Sequence, residues 1–128
     1  VILDTSAIAA VILKQPGWEL PLDKMTTGPR LRVGTPTRAE AGIALTARLG
    51  FDARLVLSRF VQEFAISAIP FGEVHWGKAV DAYRRFGEER HFASLNFGDC
   101  MSYATASLSQ RPLLRTGDDF RQTDLTLA

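Results

Sequence analysis

The sequence predicts an α/β sandwich in which a mainly parallel central sheet is flanked by helices. Three observations predict it. Short apolar runs at Val1 to Leu3, Leu31 to Thr35, Ser67 to Phe71 and Leu113 to Thr116 alternate with segments of helical periodicity, as strands joined by helical crossovers do. Carboxylates follow the first and last runs directly, at Asp4 and at Asp118 and Asp119, and in parallel sheets ligands collect at the carboxyl ends of strands. The chain has 128 residues, 46% hydrophobic and 23% charged, with mean hydropathy near zero. That size and composition bury a core without disulfides or a structural metal, so one domain over residues 1–128 is expected.

Taken in order, Val1 to Asp4 forms the first strand, and Thr5 or Ser6 caps a helix that runs to about Lys14 and ends at Pro16-Gly17. Trp18 to Met25 forms a short helix weakened by Pro21, and turn residues follow from Thr26 to Pro29. After the strand at Leu31 to Thr35, Thr35 caps a helix with Pro36 in its first position, and Gly50 stops it. Asp52 caps the next helix, whose Leu55, Phe60 and Phe64 suit a core. A strand at Ser67 to Phe71 leads to the amphipathic EVHWGKAVDAYRRFG, then to the polar, irregular EERHFASL. Asn96 caps FGDCMSYATASLSQ, and Pro112 precedes the last strand.

Composition excludes several classes. Cys100 is the single cysteine, so no internal disulfide forms, and a reducing compartment is expected. The apolar opening is broken by Asp4, is too short to span a bilayer and lacks a basic leader, so a cytoplasmic protein is expected. A net charge of +1 does not by itself announce a nucleic-acid binder, although Lys14, Lys24 and Lys78 are the only lysines among fifteen basic residues.

Chemistry is concentrated in the acids. Glu40 and Asp99 fall near helix starts, where Thr37-x-x-Glu40 and Asn96-x-x-Asp99 have the spacing of capping boxes. Glu40 also extends the spacing of Ile43, Ala44 and Ala47 and so continues an apolar stripe toward the core. Two carboxylates about 5 Å apart repel by roughly 3 kcal/mol at an effective dielectric of about 20, whereas a helix terminus returns only about 0.3 to 1 kcal/mol per charge. If Asp4, Glu40, Asp99 and one of Asp118 and Asp119 share a crevice, a cation belongs between them. All-oxygen ligands suit Mg²⁺ or Mn²⁺ better than zinc. His75 and His91 fit no ligand spacing, no histidine is placed to activate Cys100, and Trp18, Trp76 and Tyr83 read as core or interface residues.

The segments VILDTSA, TRAEAGIAL, LNFGDCMSYATA and LLRTGDDFRQTDL carry a resemblance that extends along nearly the whole chain. In them the sequence resembles the VapC-type toxins of the PIN-domain ribonuclease family, and LNFGDC followed by GDDFRQTD is the specific part. The resemblance implies a PIN-like three-layer sandwich. It implies that Asp4, Glu40, Asp99 and the GDDF acids form a Mg²⁺ site, with Mn²⁺ as substitute, for endoribonucleolytic cleavage of RNA. It implies a homodimer and a VapB-like antitoxin whose tail places a basic residue in the acidic site, with DNA met only through the antitoxin. Adjacent residues leaving a strand point in different directions, so Asp118 and Asp119 do not face one metal equally; the family pattern, in which the acid directly before Phe120 is the steadier, gives Asp119 a slight preference, although Asp118 also fits the Thr-x-Asp arrangement of many relatives. Ser6 orients a metal water or caps its helix. Arg115-Thr116 departs from the family's apolar-lysine pair, which moves a basic contact by one position, and Arg90 and His91 lie where relatives are basic; all three are candidate RNA contacts.

Other acidic Mg²⁺ folds fail on residues. A receiver domain needs paired acids after the first strand and a late lysine, and a haloacid-dehalogenase-type phosphatase needs an aspartate where Ser6 stands. The alternative that survives is a non-catalytic module of the same fold, acting with its antitoxin as a DNA-bound repressor.

Overall fold

A computed structural model describes residues 1–89 and 91–128. Four strands, β1 (Ile2–Leu3), β2 (Arg32–Gly34), β3 (Ser67–Ile69) and β4 (Leu113–Leu114), form one sheet in the order β3-β2-β1-β4, every neighbouring pair parallel. Between β1 and β2 lie α1 (Thr5–Leu13) and α2 (Glu19–Thr27); between β2 and β3 lie α3 (Thr35–Leu49) and α4 (Arg54–Glu63). The return from β3 to β4 carries α5 (Glu73–Phe86) and α6 (Phe97–Ser109).

The short strands divide their side chains between two cores, because successive residues point to opposite faces. Leu3, Val33 and Leu114 join Ala7, Ile8, Leu45, Leu57 and Phe60 on the α1–α4 side. Ile2 and Leu113 join Ala82, Phe86, Leu95, Tyr103 and Phe120 on the α5–α6 side. Helix α6 crosses the end of β2 so closely that a Cβ at Gly34 would stand 2.6 Å from Thr105 Oγ1. This approach brings the start of α6 toward the carboxyl ends of β1 and β4.

Three sequence expectations are corrected here. Leu55 is exposed, and Leu57 and Phe60 supply the core face of α4. Ile43 is 73% exposed, and Thr37, Ala41 and Leu45 form the buried face of α3; the apolar stripe expected to run from Glu40 through Ile43 therefore does not face the core at Ile43. Thr37 is not a cap either. Helix α3 begins at Thr35 with Gly34 in the cap position and without a side-chain cap bond, and Thr37 sits inside the first turn, buried. Among the described residues no helix is long and apolar enough to cross a membrane.

Candidate active site

Asp4 stands between β1 and α1 and caps the helix with extended backbone angles, φ −90° and ψ 157°. It is 5% exposed, and hydrogen bonds from two sides fix its carboxylate. Oδ2 accepts from the Ser6 backbone N–H at 3.1 Å and from Ser6 Oγ at 2.6 Å. Oδ1 accepts from Ser102 Oγ at 2.6 Å. Because that bond uses the single hydroxyl proton of Ser102, Thr37 Oγ1 is the donor in the 3.2 Å contact with Ser102 Oγ. Ser6 Oγ in turn accepts from the Thr116 backbone N–H at 3.0 Å. One buried carboxylate thus ties together α1, α3, α6 and the residues after β4.

Glu40 approaches from α3. The Thr5 hydroxyl donates to Glu40 Oε1, and the rest of the carboxylate lies against the Gly98 backbone so closely that a Cβ there would overlap it. Asp99, one residue on, exchanges two hydrogen bonds with Asn96: Asp99 N–H donates to Asn96 Oδ1 at 2.8 Å, and Asn96 N–H donates to Asp99 Oδ2 at 3.0 Å. The capping box anticipated at Asn96 is therefore formed.

Electrostatics joins these residues into one set. Burial pushes the Asp99 carboxyl up to about 7, against the Asn96 N–H that stabilises its charge, and the negative charges of Asp4, Asp119 and Glu40 push it further. None of these four acids has an ion-pair partner among the described residues. Asp118 faces elsewhere, 3.5 Å from Arg121 Nε on the surface. Among the described residues no three acid, histidine or cysteine side chains close around one point.

The other candidates are dispersed. Ser6 belongs to the Asp4 cluster. His91 Nδ1 accepts from the Ala93 N–H at 2.9 Å, and its ring meets Phe86 edge-on at 5.1 Å, so it buttresses the loop before α6. Arg115 follows β4 with Nε buried and unpartnered. Arg90 lies outside the described residues. Cys100 is buried, its thiol pushed up to about 11 by burial, as an inert core cysteine should be. Sequence reasoning missed Gly98 and Ser102, and it read Thr5 and Thr37 only as helix caps. The available signal was helical spacing: Ser102 lies one turn after Asp99, and Thr37 one turn before Glu40.

The decisive comparison is with a family model. Residues 1–125 match that of the PIN domain. This chain belongs to the PIN-domain family. Within it the kinship is with the VapC type: Ribonuclease VapC36 of Mycobacterium tuberculosis is 42% identical over 125 residues, covering 97% of this chain and 90% of that protein. The fold agrees with solved PIN-domain toxins. Mycobacterium tuberculosis VapC20, described as a sarcin-ricin loop cleaving toxin, superposes with a TM-score of 0.80 at 15% identity, over 99% of this chain and 97% of that one. VapBC2 of Rickettsia felis, solved with a DNA fragment from its promoter, gives a TM-score of 0.75 at 13% identity, over 99% and 96%.

Proposed function

We propose that this PIN domain is a Mg²⁺-dependent endoribonuclease, the toxin of a toxin–antitoxin pair, which hydrolyses RNA phosphodiester bonds at the crevice of Asp4, Glu40, Asp99 and Asp119. The observation that carries the reading is the Asp99 carboxyl, half-buried and raised to about 7 among three further acids that have no cation partner among the described residues. Such a field is unfavourable to the empty protein and favourable to a divalent ion. When bound, the ion supplies stabilisation of the negative charge that develops on the phosphoryl oxygens.

The protein's own groups do the positioning. Asp4 and Asp99 would hold the ion, with Asp4 already oriented by Ser6 and Ser102. Glu40, held by Thr5, and Asp119 would complete the acidic set directly or through water and orient the attacking water. Asp118, drawn to Arg121, contributes less. Arg115 and His91 meet the RNA backbone, with Arg90, outside the described residues, as a further candidate contact. An Nδ1 that accepts leaves the His91 proton on Nε2, the atom free to donate to a phosphate. A cognate antitoxin of the VapB kind inhibits by placing an arginine or lysine among the acids, where it replaces the metal electrostatically.

Cleavage assays on RNA and DNA, with Mg²⁺, Mn²⁺ or EDTA, test the reading. RNA is cut only with metal, and Asp4→Asn and Asp99→Asn each abolish cleavage while the protein stays folded; full activity of either variant at saturating Mg²⁺ rejects the assignment. The promoter DNA bound to the Rickettsia felis neighbour favours a second, compatible role in a repressor complex, with the antitoxin making the DNA contacts. That role alone would leave RNA intact in every assay.

A further inference from the structure

Opposite the acidic crevice, at the amino ends of the strands, lies a concavity of about 490 Å³ lined by Val1, Pro29, Arg30, Arg32, Arg111 and Pro112. Its three arginines stand at the starts of β2 and β4, on either side of β1. Val1 N donates to Arg30 O at 3.1 Å, and Arg32 N donates to Val1 O at 2.9 Å, so the segment from Arg30 to Arg32 is extended and laddered against β1. Leu31 between them is buried while Arg30 and Arg32 are exposed, which puts both guanidinium groups on one side, about 7 Å apart along the chain. Arg111 faces them from the residue before Pro112.

These charges are uncompensated. None of the three side chains makes an ion pair or a hydrogen bond among the described residues, although Arg54, Arg85 and Arg121 elsewhere are all engaged with acids. Arg30, Arg32 and Arg111 thus stand together at the amino ends of the strands, away from the acids.

We propose that this basic concavity is a second RNA-docking surface, which grips the phosphodiester backbone of a structured RNA at a distance from the scissile bond. The proposal rests on the ribonuclease reading for its choice of polyanion. Guanidinium groups pair bidentately with phosphate oxygens, and two of them repeating along an extended strand suit successive phosphates of one chain. The two prolines fix the rim and reduce the ordering cost of binding. An RNA long enough to span both ends of the strands gains affinity through the concavity, and a short oligonucleotide confined to the crevice does not.

The test is the triple variant Arg30→Gln, Arg32→Gln, Arg111→Gln, all at exposed positions. In EDTA, binding of a folded RNA of several stem-loops is followed by fluorescence anisotropy across a salt series, beside a short single-stranded oligonucleotide. The variant is expected to bind the folded RNA at least tenfold more weakly at low salt and to lose about 0.7 to 0.9 of the log–log salt slope per contact removed. Its cleavage of the short oligonucleotide in Mg²⁺ stays at the wild-type rate. An unchanged affinity and slope for the folded RNA overturns the proposal, as does an equal loss for the short oligonucleotide. Asp99→Asn separates the two readings: it keeps the salt slope if the concavity docks RNA, whatever it does to cleavage.

Discussion

Asp99 shows how a single carboxyl links the crevice to stability. Its folded value of about 7 lies above the ordinary 3.8, so between those values the folded protein holds a proton that the unfolded chain releases. Stability without metal therefore falls as pH rises from 3.8 toward about 7. Thermal melts in EDTA are expected to show that decline, and Asp99→Asn to flatten it; a variant with the wild-type slope would place the titration elsewhere. Metal binding must displace the same proton, so Mg²⁺ affinity rises with pH through this range. The Ser102 hydroxyl allows a second prediction at this scale. Ser102→Ala removes a bond to the buried Asp4 carboxylate and leaves Thr37 Oγ1 without its acceptor, which costs about 1.5 to 3 kcal/mol by the usual value for bonds to charged groups. Urea unfolding should show a lower midpoint at unchanged slope. Asp4 and Asp99 were legible because an acid at a strand end or in a capping pattern is conspicuous. Ser102 and Thr37 were not, since a small hydroxyl inside a helix reads the same whether it faces a carboxylate or simply fills space.

Helices α3 and α6 meet over one atom pair that no propensity scale contains. Gly98 lies in the first turn of α6, where exchanging glycine for alanine ordinarily gains about 0.5 to 1 kcal/mol. Here the added methyl would occupy the place of the Glu40 carboxylate, so Gly98→Ala is expected to destabilise the protein and to abolish cleavage by expelling Glu40. Glu40→Ala made on top of it should restore stability without restoring cleavage, a coupling of about 1 to 3 kcal/mol in a double-mutant cycle. If the two losses simply add, Glu40 does not pack against α6 in solution. The same contact explains a misreading at the element scale. Glu40 does point inward, toward the Thr5 hydroxyl and the α6 backbone, but the apolar stripe does not continue inward from it, because Ile43, one turn on, is exposed. Periodicity identified the helix, and only the crossing of α6 over β2 decided which of its faces is covered.

At the scale of the whole molecule, alternation of short apolar runs with helices was enough to indicate the parallel sheet, because few other arrangements bury such strands on both faces. What alternation does not reveal is which helical surfaces remain for partners. Helix α5 leaves Val74, Trp76 and Val80 exposed at 68%, 57% and 50%, and Trp76 and Val80, with Phe97 and Met101 of α6, border an apolar cavity of about 590 Å³. A stable interface buries about 800 Å² per partner, and large exposed apolar patches are otherwise rare on monomers. The homodimer that the family resemblance implies is predicted to form through this face, beside the start of α6 that carries Asp99, bringing two acidic crevices toward one groove. Light scattering at micromolar concentration should give a dimer for the wild type and a monomer for Val80→Glu. Ile43→Glu, in the opposite layer of the sandwich, is the control and should leave the dimer intact. A wild-type monomer rejects the dimer, and a monomer from Ile43→Glu but not from Val80→Glu moves the interface to the α3 side. Retention of single-turnover cleavage by monomeric Val80→Glu on a short oligonucleotide would show that each crevice is chemically complete, its acids all drawn from one chain.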